Sequence, residues 1–209
     1  MITDEIRTIQ QALDDDEAAQ RRLYETHCPA AFRLAYLLLH NAGDAEEVVQ
    51  DTFVYVFRNL ARYDAERGTF WAWLRVTLVS RCRNKRRRCR LSADWGRTVS
   101  LDVFDANELI PTRRRHEGDP AGVLERLGVR RAIWDALQQV SQGAREALIL
   151  RYYEGLPYAE IAEILGCSND AARSRVVHGK AQLRRVLAQP QHARACGVEN
   201  LVRATGPNQ

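Results

Sequence analysis

At 209 residues, 45% hydrophobic and 28% charged, the chain is long enough for one large or two small domains with cores of their own. Its formal charge of +4 conceals a segregation: Asp4, Glu5, Asp14, Asp15, Asp16, Glu17 and Glu25 outnumber Arg7, Arg21 and Arg22 in the opening stretch, and the basic residues gather further on. The polar, acidic start has no signal-peptide pattern, and the apolar run Leu34–Leu39 falls far short of the roughly 20 residues that span a bilayer, so no membrane insertion and a cytoplasmic location are expected.

In chain order, residues 1–20 read as an acidic N-terminal segment and 21–90 as a first domain of nearly continuous helix. One helical segment covers Ala30–His40, and Asn41-Ala42-Gly43 breaks it. Asp44 is the expected N-cap of the next helix, with Glu47 completing an acidic capping box. Val48, Val49, Phe53, Val56, Phe57 and Leu60 give that helix a broad apolar side. After the turn-forming stretch Tyr63–Gly68, an aromatic-aliphatic helix begins near Thr69 with Phe70, Trp71, Trp73, Leu74, Leu78 and Val79. It runs into Arg75, Arg81, Arg83, Lys85, Arg86, Arg87, Arg88 and Arg90 with no intervening acid. Such charge density attracts phosphate and releases counterions, and aromatics beside it suit the stacking of unpaired bases.

Periodicity fades over 91–122, where Ser, Asp, Gly, Pro and Thr accumulate, and this stretch is expected to be a flexible linker. An apolar stripe returns at positions 129, 132, 133, 136, 137 and 140, within a second domain spanning 123–189. Tyr158, Ile161, Ala162 and Leu165 then form one face of a two-turn helix, Gly166 offers a left-handed C-cap, and Ser168 or Asn169 caps the helix that follows. Ala172, Val176, Gly179, Leu183 and Val186 make its buried stripe. Asn169, Asp170, Arg173, Ser174, Val177 and His178 lie off that stripe near its N-terminal end, the end a recognition helix presents to major-groove base edges. The tail 190–209 has weak patterning. The fold class expected is all-α: two small helical domains joined by a flexible linker, the second with a helix-turn-helix.

Cys28, Cys82, Cys89, Cys167 and Cys196 are scattered with no CxxC pair, so free thiols are expected rather than a metal site. Asp44, Glu46, Glu47 and Asp51 cluster by helical spacing, but no histidine or second carboxylate group converges on them in sequence. They read as a partner-binding face. Neither catalytic residues nor a cofactor nor a metal is expected, and the chain is not read as an enzyme.

Together these segments resemble an RNA polymerase sigma factor of the extracytoplasmic-function group, within the sigma-70 family. The likeness rests on Asp44–Phe53, Tyr63–Gly68, Phe70–Leu74, Leu148–Leu156, Glu160–Cys167 and Arg173-Ser174-Arg175, in the right order and separated by a linker. It covers roughly residues 21–90 and 120–188. It implies a dissociable subunit that binds core RNA polymerase and directs promoter-specific initiation, with an anti-sigma factor as a further partner. Core polymerase would be met by Asp44, Glu47, Val48, Asp51, Thr52 and Tyr55. The minus-ten element of promoter DNA would be met by Tyr63, Arg67, Trp71, Ser80, Arg83, Asn84, Arg86 and Arg87. The minus-thirty-five element would fall to Asn169, Asp170, Arg173, Ser174, Val177 and His178. The chain departs from the family pattern at Val79-Ser80, Asn84, Asp170-Ala171-Ala172 and His178, which leaves its preferred promoter sequence open. The alternative is a helix-turn-helix regulator that is not a polymerase subunit; such a protein has no use for the aromatic-basic first domain.

Overall fold

The computed structural model describes residues 2–91 and 132–189. The chain divides into two units, residues 1–100 and 101–209. All regular structure in the described residues is helical.

In the first unit, α1 (Ile2–Leu13) ends where Asp15 turns left-handed at φ 60°, and Asp16 immediately caps α2 (Glu17–Leu39), accepting from Ala18 N at 2.8 Å and Ala19 N at 3.3 Å. The opening residues are therefore not an acidic segment apart from the domain. Ile9 and Ala12 are buried, and α1 packs on α2 and against the 3-10 turn Leu60–Arg62. α2 also starts well before the expected Ala30, running through Pro29 in its interior and closing at a left-handed His40 with φ 59°.

Asn41, rather than Asp44, caps α3 (Ala42–Arg58): its side chain accepts from Asp44 N at 3.0 Å. Ala42 and Gly43 are consequently the first turn of the helix, and Asp44 sits inside that turn, where the helix dipole favours an acid. Thr69 Oγ1 accepts from Ala72 N at 3.2 Å and starts α4 (Phe70–Leu91). α2, α3 and α4 pack on one another around Leu34, Leu38, Val56, Phe70, Leu74, Leu78 and Val79, all fully buried. Each such Leu contributes about 1.5–3 kcal/mol on removal from water.

In the second unit, a helix over residues 132–138 (α5) precedes α6 (Gln142–Leu148), which passes into a π-helical turn, Ile149–Tyr153. α7 (Tyr158–Leu165) and α8 (Asn169–Leu187) complete the helix-turn-helix. Gly166 ends α7 at φ 60°, and Ser168 caps α8 by accepting from Ala171 N at 3.2 Å. Leu150, Ile161, Leu165 and Val176 form the fully buried centre. α8 buries Ala172, Val176, Gly179 and Val186, whereas Leu183, expected on that stripe, is only half-buried. Gly179 lies where α8 crosses α6: a Cβ there would stand 2.9 Å from Leu148 Cδ1 and 3.2 Å from Ala144 Cβ. Beyond Leu91 the expected linker lies outside the described residues, as do stripe position 129, Cys196 and the tail from Pro190.

Candidate nucleic-acid and partner-binding surfaces

The first surface is the solvent side of α3. Because Val49, Phe53 and Val56 are drawn into the core, Glu46, Glu47, Gln50, Asp51 and Val54 are turned outward. Of the residues expected to meet a partner, Glu47 and Asp51 are exposed, and Asp44 and Tyr55 are half-buried. Val48 and Thr52 are not available: they are 3% and 0% exposed, and Thr52 Oγ1 donates to Val48 O at 2.6 Å. Their job is internal packing. Val54, 51% exposed, is the apolar member of this flank that the sequence reading passed over; its spacing of three and four from Asp51 and Gln50 was the available signal.

α4 packs beside α3 through charged and aromatic groups. The Arg81 guanidinium lies 4.8 Å from the Tyr55 ring centroid, a cation–π contact. Lys85 Nζ reaches Glu47 Oε2 at 2.6 Å and Asp44 Oδ1 at 3.2 Å. Burial pulls the Lys85 pKa down, but the hydrogen bonds to Glu47 and Asp44 and their charges outweigh it, leaving the ammonium above its ordinary 10.5.

The second surface joins the loop before α4 to the outer stripe of that helix. Tyr63 Oη donates to Gly68 O at 3.0 Å, closing the loop on itself, and Glu66 N donates to Asp64 Oδ1 at 2.9 Å. The Tyr63 ring sits 5.8 Å from both Phe70 and Trp73. Its hydroxyl pKa is pushed up, first by burial and then by the charges of Glu5 and Asp64. His27 stacks on Trp71 at 6.2 Å and 7° between planes, and meets Glu5 at 2.9 Å. Arg67 is exposed at the loop tip.

Along α4 the residues Val76, Ser80, Asn84, Arg87 and Arg88 face solvent, with Arg83 half-buried beside them. Arg75 and Arg86 belong to the opposite side, each 6% exposed, in line with Leu78, Val79 and Cys82. Arg86, expected among the DNA contacts, is thus a core-facing residue. The basic run supplies fewer surface cations than its sequence suggests.

The third surface is the tip of α8. With Ala172 and Val176 buried, Asn169, Asp170, Arg173, Ser174, Val177 and His178 all stand exposed, Val177 to 56%. The structure brings these expected residues together on one flank of one helix. Elsewhere in this unit, Arg151 donates to Leu156 O at 2.7 Å and lies 4.8 Å over the Tyr158 ring, fastening the π-turn to the start of α7. Neither that turn nor this fastening was foreseen from sequence. Among the described residues no three His, Cys, Asp or Glu side chains are grouped to hold a metal, and no helix is long and apolar enough to cross a membrane.

Each unit contains a match to one sequence family: sigma-70 region 2 matches residues 23–91, and sigma-70 region 4 matches residues 130–183. The chain is 34% identical to the extracytoplasmic-function RNA polymerase sigma factor SigE of Mycolicibacterium smegmatis, over 80% of this chain and 61% of that one. It is 30% identical to the RNA polymerase sigma factor CarQ of Myxococcus xanthus, over 84% of this chain and 93% of that one. Among solved structures, CnrH in complex with the cytosolic domain of CnrY matches with TM-score 0.57 and 25% identity, covering 88% of this chain and 96% of that one. The chain belongs to the sigma-70 family of RNA polymerase sigma factors, in its extracytoplasmic-function group.

Proposed function

We propose that the chain is a non-catalytic, dissociable subunit of RNA polymerase that directs initiation at promoters carrying its minus-ten and minus-thirty-five elements. The observation that carries this reading is the pairing of a region 2 unit, with an exposed polar stripe on α4, and a region 4 unit whose helix-turn-helix tip is wholly exposed. Core polymerase docks on Asp44, Glu47, Asp51 and Tyr55, with Val54 as the apolar contact; acids around an apolar residue steer and then bury. Minus-ten DNA meets Tyr63, Arg67, Trp71, Ser80, Arg83, Asn84 and Arg87. The tip of α8 enters the major groove of the minus-thirty-five element. An anti-sigma factor is the regulatory partner this reading implies, and the cytoplasm, where the polymerase works, is its compartment.

Reconstitution tests the proposal directly. The purified chain mixed with core polymerase should co-migrate as a holoenzyme and give run-off transcripts from a subset of a promoter library. Tight promoter binding as a dimer, without polymerase, would instead identify a free-standing helix-turn-helix regulator.

A further inference from the structure

The lysine in the middle of the basic run does not share the run's outlook. Lys85 follows Asn84 on the solvent stripe of α4, yet its side chain is only 19% exposed and turns across to α3. It binds two carboxylates one helical turn apart, Glu47 at 2.6 Å and Asp44 at 3.2 Å. Asp44 is 32% exposed and Glu47 58%, so the contact lies at the edge of the domain and both acids also look outward. These are the acids assigned to polymerase docking, while Asn84 and Arg87 on either side of the lysine are assigned to DNA.

We infer that Lys85 is a positioning residue: it fastens the polymerase-docking turn of α3 to the DNA-facing half of α4, and it makes no phosphate contact. The inference rests on the sigma-factor reading above. An ammonium already held by two carboxylates loses both bonds if it turns toward phosphate, so it adds little to counterion release. Fixing the spacing between a docking edge and a DNA-contacting stripe matters for opening because misplacement of a reacting or binding group by an ångström is costly even where affinity is kept.

The test uses the full chain assembled with saturating core polymerase. Lys85→Met should leave the salt dependence of promoter binding unchanged, while Arg87→Ala lowers its slope by about one unit. The same Lys85→Met holoenzyme should open promoters severalfold more slowly. Lys85→Glu should be slower still, and Lys85→Arg, which keeps a cation between the two acids, should retain most of the native rate. A slope reduced by about one unit in Lys85→Met would show a phosphate contact and overturn the inference. So would an unchanged opening rate in Lys85→Met, or a Lys85→Arg rate no better than that of Lys85→Met. Thermal unfolding of the free chain separates this outcome from failure of the sigma-factor reading: Lys85→Met and Glu47→Gln should be non-additive, and strict additivity rejects the clamp whether or not the chain binds polymerase.

Discussion

Gly179 shows how much one missing side chain does. With a Cβ at that position only 2.9 Å from Leu148 Cδ1, Gly179→Ala must push α8 off α6 or distort Leu148. We expect a loss of about 1–3 kcal/mol, as for other overpacked cores, read as a lower unfolding midpoint. Arg173 and Arg184 form a second contrast on the same helix. Both are exposed, but only Arg173 belongs to the tip. Arg173→Ala should relax preference at one or two positions of the minus-thirty-five element, since a bidentate arginine–guanine pair discriminates by about 1–3 kcal/mol. Arg184→Ala should lower affinity evenly or leave it unchanged; selection from a randomised promoter library distinguishes the two. Lys85 adds a dependence on pH. Its folded pKa lies above the ordinary 10.5, so the clamp's contribution is complete below that value and fades as pH rises through the higher folded pKa. The stability difference between the native chain and Lys85→Met should therefore be constant at neutral pH and shrink under strongly alkaline conditions.

For whole elements, α3 offers the cleanest test of docking. Asp51 is exposed and outside the Lys85 clamp, so Asp51→Lys should weaken core polymerase binding while circular dichroism stays native. Undiminished binding would remove this face from the docking surface. The same helix shows what sequence reveals and what it hides. Its apolar side was legible because Val49, Phe53 and Val56 recur at helical spacing. Its start was not: Asn41 and Asp44 are both good caps, and the choice depends on which backbone N–H each side chain meets. The burial of Thr52 follows from its place between Val48 and Val56, but a hydroxyl satisfied by the Val48 carbonyl looks polar until that bond is seen. Arg75 and Arg86 were misleading for a related reason. Their positions fall on the stripe of Val79 and Cys82, yet a long apolar stem under a charged head reads as surface in any composition count. In the helix-turn-helix, by contrast, turn, cap and stripe depend on neighbours in sequence, and every residue expected at its tip is exposed. The π-turn at Ile149–Tyr153 and the bond from the Arg151 side chain to the Leu156 carbonyl are both features that periodicity does not encode.

Across the molecule, fewer cations of the basic run stand at the surface than the sequence suggests. With Arg75 and Arg86 buried, Arg86→Ala should lower the unfolding midpoint and leave the salt slope of promoter binding intact. Arg83→Ala and Arg87→Ala should each reduce the slope by up to about one unit. Equal slope losses for all three would place Arg86 on the DNA surface. The loop ahead of α4 carries a different kind of consequence. Tyr63 ties its hydroxyl to the Gly68 carbonyl, so the chain between them is already a closed hoop before any strand arrives. The freedom that an open loop would surrender on capturing a base is surrendered during folding instead. Tyr63→Phe, which cuts the tie but keeps the ring, should therefore make minus-ten capture entropically less favourable in calorimetry, even where the bound complex is unchanged.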